Sequence, residues 1–405
     1  MVSVLTINGG SSSIKFAIYN IEDSLYLVLQ GELKNIGTQK SVLSFTNTIT
    51  QQTKTFPVKA TSHAHAVQAI IKEIEKQRSA SFQAIGYRIV HGMKHSAPEL
   101  ITPALLKELK LISAYDPEHL PLAIKLIQEF KKHYPALNHI ACFDTSFHTA
   151  MPAVAKWIPL PRRFNALGIQ RYGFHGLSYS YLMEELTRIA GKDAANGKVI
   201  LAHLGNGASL AAVKESKSID TSMGFTPASG IPMGTRSGDL DPGVAWYLMK
   251  SEKLNAKQFN YLVNHEAGLL GVSETSSDMR ELLAAEHTDH RAQEAIDLFC
   301  YQIKKWIGSF AAALGGVDTL LFSGGIGTYA PEVRSRICNG LQFLGIELDE
   351  SHNTNNENII SSTKSNVCIR VMKTNEEWMI ARLVCQVMNY NVNFHTGSLQ
   401  QKDQL

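Results

Sequence analysis

The chain has 405 residues, more than one hydrophobic core usually supports, so we expect two domains or two fused halves. Its hydrophobic fraction of 44% and charged fraction of 19% are ordinary for a globular protein. The formal net charge of +3 is too small to indicate a nucleic-acid partner or an anionic membrane, although it is compatible with small anionic ligands.

Cysteine usage and the N-terminus both bear on the compartment. The chain has five cysteines: Cys142, Cys300, Cys338, Cys368 and Cys385. Their number is odd and none belongs to a Cys-x-x-Cys pair, which argues against a disulfide framework or a structural zinc site. The N-terminus has no signal-peptide pattern, and no apolar run approaches the length of a membrane span. We therefore expect a cytoplasmic protein with no membrane partner.

Short apolar runs alternate with segments of helical periodicity, which is typical of an α/β protein. Strands are predicted at residues 2–7, 14–19, 84–90, 139–143, 199–203, 209–213 and 319–322. Helices are predicted at residues 64–77, 120–134, 179–190, 244–249, 292–314, 332–340 and 376–390. The polar, helix-poor residues 351–366 are predicted to form a surface loop.

Two stretches nearly half a chain apart resemble each other. VLTINGGSSSIKFAIYN (residues 4–20) and VILAHLGNGASLAAVKE (residues 199–215) each predict a strand, a glycine-rich turn with small hydroxyl residues, and a second strand. Either turn alone is compatible with a plain hairpin or with a loop that binds an anion. Together they favour two related halves, each with one glycine-rich hairpin.

Several predicted strands end in polar residues that do not suit a core. These are Arg88 and His91, Asp144 and His148, and His203 and Asn206. Ligands of open α/β sheets gather beyond the carboxyl ends of the strands, so this set favours a binding site over scattered surface exposure.

The richest stretch for function is MGFTPASGIPMGTRSGDLDPG, residues 223–243. Its glycines and prolines predict an irregular loop, in which Arg236 lies close to Asp239 and Asp241. A surface arginine paired with a nearby aspartate is one interpretation. A long loop ordered by a bound ligand is the other, and we favour it.

The motifs of several large enzyme classes are absent: the P-loop, the protein-kinase set, the nucleophile elbow and His-Glu-x-x-His. What remains is glycine-rich hairpins, two arginines, a strand-end aspartate and a late glutamate. Glycine turns can cradle phosphates, and guanidinium groups can grip a carboxylate and a phosphoryl group. One or two carboxylates are how Mg²⁺ normally binds beside a nucleotide. The inventory indicates phosphoryl transfer to an anion.

The chain resembles a known family. It carries INGGSSSIKF, RIVHG, FDTSFH, RYGFHGLS, HLGNGAS, DTSMGFTPASGIPMGTRSGDLDP, GLLGVSETSSDMR, FSGGIG and TNEEWMIA in the order and spacing of acetate kinases. The motifs run from residue 7 to about residue 381 and cover nearly the whole chain.

The resemblance implies a fold and an activity. The fold is α/β, with two duplicated actin/ribonuclease H-like domains and a nucleotide cleft between them. Domain one would comprise residues 1–146 and 381–405, and domain two residues 147–380. The activity is reversible transfer of phosphate between ATP and acetate, giving ADP and acetyl phosphate. Family members are usually homodimers and use Mg²⁺, with Mn²⁺ as a substitute.

The resemblance also implies roles for particular residues. The metal ligands would be Asn8 and Glu376; the catalytic residues Arg88, Asp144, His175 and Arg236; and the acetate site Arg88, Val90, Phe174 and Pro227. The phosphates and adenosine would contact Ser11, Ser13, Lys15, His203, Leu204, Gly205, Asn206, Gly207, Asp278, Met279, Arg280, Gly325, Ile326 and Gly327.

Elementary chemistry sharpens one of these roles. A carboxylic acid is already ionised at neutral pH, so the acceptor needs no general base. The barrier lies in bringing one anion against another, and charge neutralisation has to supply the catalysis. Asp144 is therefore expected to orient an arginine or metal-bound water rather than to act as a base.

The chain departs from the family pattern at several places. Tyr87, Tyr179 and Ser229 stand where the family usually has His, His and Glu, and Met93 replaces a glycine. Residues 113–119 and the pair at 328–329 also differ. Every charged catalytic candidate is kept, whereas these departures leave the acyl-chain preference open.

Four alternatives remain beside acetate kinase. A propionate or other short-chain acyl kinase would use the same site. A sugar kinase would need an aspartate base, which Asp144 could supply, but a hydroxyl acceptor gives no reason for two arginines. A nucleotide-gated binding module of the actin or chaperone kind and an inactive relative are disfavoured, because no residues are left for a separate substrate domain and the active-site set is complete.

Overall fold

A computed structural model describes residues 2–76 and 82–392 of the chain. It divides into two compact units. Unit 1 comprises Met1–Ser146 and Asn375–Leu405, and unit 2 comprises Phe147–Thr374, with the described residues of each considered below. The sequence prediction placed the second crossing between units at residue 381.

The strands of the described chain, in order, are β1 (Val2–Gly9), β2 (Ser13–Ile21), β3 (Leu25–Lys34), β4 (Val42–Asn47), β5 (Gln52–Pro57), β6 (Ala84–Ile89), β7 (Glu99–Leu100), β8 (Asn138–Phe143), β9 (Val199–Leu204), β10 (Ala208–Lys214), β11 (Lys217–Thr221), β12 (Thr319–Ser323) and β13 (Cys368–Val371). All seven predicted strands are present. The prediction missed the other six described strands, which are β3, β4, β5, β7, β11 and β13.

The α-helices are α1 (His63–Lys76), α2 (Pro103–Leu111), α3 (Leu120–His133), α4 (Ala153–Lys156), α5 (Arg162–Ala166), α6 (Gly176–Asn196), α7 (Pro242–Ser251), α8 (Ala256–Tyr261), α9 (Gly268–Ser273), α10 (Met279–Ala285), α11 (His290–Leu314), α12 (Gly324–Tyr329), α13 (Pro331–Cys338), α14 (Glu350–Thr354) and α15 (Glu376–Val387). Every predicted helix is present within a few residues, and Gln77, the predicted end of the first, lies outside the described residues. The surface loop predicted at 351–366 is wrong at its start, where α14 buries Asn353.

Unit 1 is built on an eight-stranded sheet with the order β5-β4-β3-β2-β1-β6-β8-β7. The strands β1 to β5 form an antiparallel meander, whereas β6 and β8 run parallel to β1. Almost all residues of β1 and β6 are buried, as expected of strands at the centre of a sheet. Their carboxyl ends therefore lie side by side.

Alternation along β1 assigns its two faces. Leu5 and Ile7 belong to the hydrophobic core that also contains residues of α1 and α3, so the intervening Thr6 and Asn8 point to the opposite face. Helix α15 packs on β6, since a side chain at Gly86 would lie 2.5 Å from Ile380 of that helix. Asn8 reaches the first turn of the same helix.

Helix α15 begins at Glu376 because Asn375 caps it, accepting a hydrogen bond from the Trp378 amide at 2.9 Å. All of α15 belongs to unit 1, whose second segment begins at Asn375. Glu376 and Glu377 occupy the first turn, where the helix dipole favours negative charge.

Unit 2 has a five-stranded sheet with the order β11-β10-β9-β12-β13. Strands β9, β10 and β11 are antiparallel neighbours, and β12 and β13 run parallel to β9. The core of unit 1 has the same plan in β3-β2-β1-β6-β8, with two antiparallel hairpins followed by two parallel strands. The internal repeat expected from the two glycine-rich turns is confirmed, since each turn joins the first two strands of its sheet.

Long helices cover the sheet of unit 2. The 25-residue α11 contributes ten buried residues, at the spacing of one helical face, and ends at Gly315, whose φ of 72° is left-handed. Helix α6 packs on β9 and β10 and is kinked at Gly191. Residues 222–241 contain no regular element, as predicted, up to the start of α7.

Candidate functional site

The β1–β2 hairpin presents the first predicted phosphate-binding residues. Asn8 and Lys15 are directly opposite each other in the antiparallel ladder, and the turn closes with a 2.8 Å hydrogen bond from the Gly10 amide to the Ser13 carbonyl. Ser11 is exposed at the tip of the turn. The turn is a hairpin, and it brings the predicted residues to one end of the central strand.

A cluster of charged side chains lies at the same end of the sheet of unit 1. The Arg88 guanidinium donates to Asp144 Oδ2 through Nε at 2.8 Å and Nη2 at 2.5 Å, and through Nη1 to Asn8 Oδ1 at 3.2 Å. The Asn8 amide nitrogen donates to Glu376 at 2.8 Å and to Glu377 at 3.0 Å. Four of the predicted residues therefore form one network with Glu377. We call this network the carboxylate cluster: Asn8, Arg88, Asp144, Glu376 and Glu377.

The strand geometry explains why the arginine and the aspartate meet. Arg88 is the second-last residue of β6, and Asp144 immediately follows the parallel neighbour β8. Asp144 is fully buried, whereas 18% of the Arg88 side chain is exposed. Burial of an aspartate at this position is stable because the neighbouring guanidinium pairs with it.

Electrostatics within the carboxylate cluster shift two pKa values. Burial alone would lower the pKa of the Arg88 guanidinium, but the charge of Asp144, followed by that of Glu376, raises it overall. Burial raises the pKa of the Glu377 carboxyl, and the neighbouring charge of Glu376 raises it further. Arg88 is thus firmly cationic, whereas burial beside Glu376 disfavours the charged form of Glu377.

Two further residues of interest, Tyr87 and Val90, lie at the carboxyl end of β6. Val90, a predicted part of the acetate site, is buried just after β6. Tyr87, where the family usually has histidine, is buried and bonds through its hydroxyl to His139 Nδ1 at 2.8 Å. This departure therefore has a local partner within the sheet and does not face the charges of the carboxylate cluster, because alternate residues of a strand point to opposite faces.

Unit 2 carries its own set of site residues around the β9–β10 turn. The turn closes with a hydrogen bond from the Gly205 amide to the Gly207 carbonyl at 3.2 Å. His203, at the end of β9, bonds through Nδ1 to the Ser178 hydroxyl at 2.8 Å. Its ring centroid lies 4.5 Å from that of His175, at a tilt of 31°. The structure thus brings the predicted His175 to the predicted phosphate loop.

The loop that contains Arg236 is held to the same turn. The amide of Gly234 donates to the Asn206 carbonyl at 3.1 Å, which fixes the loop against the hairpin. The Arg236 Nη1 atom donates to the carbonyl of Pro227, a predicted acetate-site residue, at 3.1 Å. A backbone hydrogen bond from the Met233 amide to the Arg236 carbonyl, at 3.0 Å, closes the turn that presents the guanidinium.

Two cationic or hydrogen-bonding side chains converge on Gly207. A Cβ atom placed on this glycine would lie 3.4 Å from Nε2 of His175 and 3.7 Å from Nη1 of Arg236. A group that approaches the backbone of the turn would therefore contact both side chains at once. We call His175, His203, Gly207, Ser209 and Arg236 the donor cluster.

The remaining predicted nucleotide residues fall into two groups. Gly325, Ile326 and Gly327 follow β12, whose Ser323 pairs with His203 in the parallel ladder, so they lie beside the end of β9. Asp278 caps α10, and its side chain bonds to the amide and guanidinium of Arg280. Among the described hydrogen bonds, none joins the side chains of Asp278 and Arg280 to the glycine turn at residues 203–207.

Phe174, another predicted acetate-site residue, is fully buried, and its carbonyl accepts a hydrogen bond from His148 Nε2 at 3.0 Å. His148 also bonds through Nδ1 to the Ser218 hydroxyl at 2.9 Å. Burial lowers the pKa of His148 to about 4, although the hydrogen bond to Phe174 opposes the shift. A neutral imidazole therefore anchors the backbone just before His175.

Sequence reasoning missed two buried or shared polar residues, Glu377 and Arg334. Glu377 shares the Asn8 amide with Glu376, and two adjacent acids at a helix start are the signal that could have found it. Ser209 is the last residue of the HLGNGAS motif, but only the strand register reveals its bond to His175. Arg334 is fully buried, and its guanidinium donates to the carbonyls of Gly327 and Thr328 at 2.9 and 3.1 Å.

The described chain contains neither a cluster of candidate metal ligands nor a helix that could span a membrane. No group of three or more His, Cys, Asp or Glu side chains among residues 2–76 and 82–392 has an arrangement that could hold a metal ion. None of the helices in the same ranges is both long and apolar enough to cross a membrane.

Comparison with known proteins decides the family. The Acetokinase family model matches residues 3–382. The chain belongs to the acetokinase family. An acetate kinase of Rhodopseudomonas palustris strain TIE-1 is 41% identical over 388 residues, which cover 94% of this chain and 97% of that protein.

Solved structures of acetokinase-like proteins agree. The acetate kinase of Porphyromonas gingivalis aligns with a TM-score of 0.85 at 35% identity, covering 96% of this chain and 100% of that one. A propionate kinase of Francisella tularensis aligns with a TM-score of 0.88 at 35% identity, covering 95% and 99%. The predicted family, the duplicated actin-like α/β fold and the enzyme class, a kinase whose acceptor is a carboxylate, are confirmed.

Proposed function

We propose that the protein transfers the γ-phosphoryl group of ATP to acetate in a reversible, Mg²⁺-dependent reaction that gives ADP and acetyl phosphate. The observation that carries the proposal is the convergence of His175 Nε2 and Arg236 Nη1 on Gly207. A cationic guanidinium and an imidazole aimed at one glycine of a tight turn suit a phosphoryl group, whose oxygens accept hydrogen bonds from all three.

The acceptor explains the chemistry of the donor cluster. Because acetate is already ionised, catalysis has to overcome repulsion between the carboxylate and the phosphoryl oxygens rather than remove a proton. Arg236 offsets that repulsion by its charge, and His175 donates a hydrogen bond to the phosphoryl group as charge moves onto it. Phe174, Pro227 and Val90 are proposed to contact the methyl group of acetate.

In the carboxylate cluster, Asp144 is proposed to orient Arg88 rather than to act as a base. Its Oδ2 atom receives two hydrogen bonds from that guanidinium, so the ion pair fixes the plane in which Arg88 can meet the carboxylate of acetate. The two hydrogen bonds and the full burial of Asp144 suit a role in holding Arg88 in place.

The proposed metal ligands are Asn8 and Glu376. Mg²⁺ binds proteins through one or two carboxylates and completes its shell with water and phosphate oxygens, and Glu376 with the Asn8 amide fits that donor set. When bound, the ion would neutralise charge on the β- and γ-phosphates. Manganese, which accepts the same oxygen donors, is proposed as a substitute.

The nucleotide is proposed to lie along residues 203–207, 278–280 and 325–327, with Ser11, Ser13 and Lys15 near the phosphates. Backbone amides of the glycine turn would receive the phosphates, and the two units correspond to the two duplicated domains of the family. The buried Arg334 supports this arrangement because its guanidinium donates hydrogen bonds to the carbonyls of Gly327 and Thr328 and so holds the backbone there.

We also propose a homodimer in the cytoplasm. All five cysteines are free thiols, which suits a reducing compartment. Helix α7 exposes Trp246 and Tyr247 at 64% and 61%, and large exposed aromatic residues are typical of protein interfaces. Light scattering of the purified protein, with Trp246→Glu as the variant expected to lower the mass, tests the dimer.

A hydroxylamine trap tests the proposed reaction. The protein is incubated with ATP, Mg²⁺, hydroxylamine and one acceptor, and acyl hydroxamate is measured for acetate, propionate, butyrate and glucose. Hydroxamate from acetate at the highest kcat/KM supports the proposal. A higher value for propionate would make the protein a propionate kinase, and ADP release only with glucose would overturn carboxylate transfer altogether.

A further inference from the structure

A buried hydroxyl group links His175 of the donor cluster to the neighbouring side chain of Tyr179. Ser209 Oγ lies 2.8 Å from His175 Nδ1 and 2.5 Å from the hydroxyl of Tyr179. Ser209 and Tyr179 are fully buried, and His175 is 9% exposed. Tyr179, Ser209 and His175 therefore form a short chain of hydrogen bonds inside unit 2, which we call the hydroxyl relay.

Backbone structure fixes all three members of the relay. His175 precedes α6 with a left-handed φ of 58°, and its carbonyl accepts the Tyr179 amide at 3.0 Å in the first turn. Ser209 is paired with His203 in the β9–β10 ladder. The side chains of residues four apart in a helical turn lie on one face, so both can reach the same strand residue.

His175 Nδ1 can take part in the hydroxyl relay in two ways. The Ser209 hydroxyl has one proton to donate, and among the described residues it has His175 and Tyr179 as its side-chain partners. Either Tyr179 donates to Ser209 and Ser209 donates to His175 Nδ1, or Nδ1 carries a proton and donates it to Ser209. A phenol is much more acidic than an aliphatic alcohol and is the better donor, and consecutive bonds in one direction strengthen each other.

We propose that Tyr179 is a positioning residue: through Ser209 it places the proton of neutral His175 on Nε2, the nitrogen directed at Gly207. This inference rests on the proposed phosphoryl transfer, in which His175 has to donate from that nitrogen. If the relay ran in reverse, Nε2 would carry a lone pair and would repel a phosphoryl oxygen.

The surroundings of His175 include a second imidazole and a guanidinium. The His203 ring lies 4.5 Å away, and the guanidinium of Arg236 shares the space around Gly207. A histidine above its ordinary pKa carries a single ring proton, so only one of its nitrogens can donate. The position of that proton then decides whether Nε2 can donate toward Gly207.

The proposal predicts a graded loss of turnover without loss of binding. Tyr179→Phe keeps the ring but removes the donor to Ser209, and we expect kcat to fall about fivefold, the size of one neutral hydrogen bond. Ser209→Ala removes the direct partner of Nδ1, and we expect a loss of about thirtyfold. In both variants the KM values for ATP and acetate should stay within about twofold.

The matched control is Tyr181→Phe, which removes a buried hydroxyl from the same helix at a position with no role in the relay. It should leave kcat unchanged. A fall in kcat of the same size for Tyr181→Phe and Tyr179→Phe would indicate general loosening of α6 and would overturn the positioning role.

The direct test is nitrogen-15 NMR of the wild-type protein labelled at histidine, at about pH 8, where an exposed histidine is neutral. The His175 signals, assigned by comparison with His175→Gln, should show an unprotonated Nδ1 and a protonated Nε2, and Tyr179→Phe should shift both toward a mixture. A protonated Nδ1 in the wild type would overturn the relay.

This readout does not depend on kinase activity. If the wild-type protein formed no acyl phosphate while its NMR spectrum gave the expected tautomer, the proposed function would fail and the hydrogen-bond relay would stand. If acetyl phosphate formed normally but Nδ1 carried the proton, the relay would fail and the proposed function would stand.

Discussion

The carboxylate cluster and the donor cluster orient their functional groups by different means. In unit 1, Arg88 is held by ion pairs and by an amide, with Asp144 fully buried beneath it. In unit 2, hydroxyl groups and backbone carbonyls hold the imidazole of His175 and the guanidinium of Arg236. The ion pair between Arg88 and Asp144 is therefore expected to contribute to folding stability. The neutral partners of His175 and Arg236 keep Nε2 and Nη1 directed at Gly207, where an anion can approach.

The largest effect that separates the clusters is expected from Arg236→Ala. Removing a guanidinium that stabilises developing charge should lower kcat about a hundredfold to a thousandfold, with little change in unfolding free energy. Hydroxamate formation measures the first quantity and urea unfolding the second. Arg336→Ala, which removes a guanidinium paired with Glu286, is the control and should keep full activity. Near-normal turnover of Arg236→Ala would remove it from the proposed site.

In the carboxylate cluster, Asp144→Asn should damage stability and activity together. The substitution leaves the mostly buried Arg88 without its main counter-charge, and breaking such a pair costs about 3 kcal/mol. Urea unfolding should reveal that loss, and kcat should fall with it. Glu129→Gln, which breaks the exposed pair with Lys132, should cost under about 0.5 kcal/mol. Equal losses in the two variants would contradict the buried pairing.

A pH titration probes the neutral partners of unit 2 through His148. Because burial lowers its pKa to about 4, the folded protein keeps this ring neutral while the unfolded chain takes up a proton near pH 6.5. Stability from this group is complete above that pH and is lost as the pH falls toward 4. The expected loss is about 2 to 3 kcal/mol.

The measurement is urea unfolding of wild type and His148→Gln at several pH values. Glutamine can keep the hydrogen bond to the Phe174 carbonyl but does not titrate, so its unfolding free energy should fall less steeply below pH 6.5. Parallel curves for the two proteins would mean that folding does not lower the pKa of His148.

The smallest effect concerns the space at Gly207. A methyl group there would lie beside His175 Nε2 and Arg236 Nη1, where the phosphoryl group is proposed to approach. Gly207→Ala should raise the KM for ATP and lower kcat, together about tenfold in kcat/KM, with the fold intact. Gly308→Ala, in α11 with open space around the added methyl, is the control and should be active and slightly more stable. Unchanged kinetics for Gly207→Ala would place the phosphate elsewhere.

Apolar runs and glycine turns made the central strands predictable. Strands β1, β6 and β9 are buried on both faces, so each reads as an apolar run that ends in polar residues. Strand β5 was missed because all but one of its residues are exposed, which removes the apolar alternation of a half-buried strand.

The partners of the site residues were harder to predict than the residues themselves. That Ser209 meets His175 depends on the strand register and on a left-handed φ, neither of which the sequence encodes locally. Arg334 was missed because α13 is polar in sequence, although its guanidinium is fully buried among carbonyl and amide oxygens. Burial lowers the pKa of this guanidinium to about 10. Its hydrogen bonds to buried oxygens outweigh the usual preference of arginine for the surface.

The most direct test of the account follows one oxygen atom. Acetate carrying oxygen-18 in its carboxyl group is incubated with ATP, Mg²⁺ and the protein, and phosphorus-31 NMR follows the products. If the acetate carboxylate attacks the γ-phosphorus, an acetyl phosphate signal should appear with the isotope shift of a bridging oxygen-18. The release of ADP with no such signal, or with an unshifted one, would contradict transfer to the carboxylate.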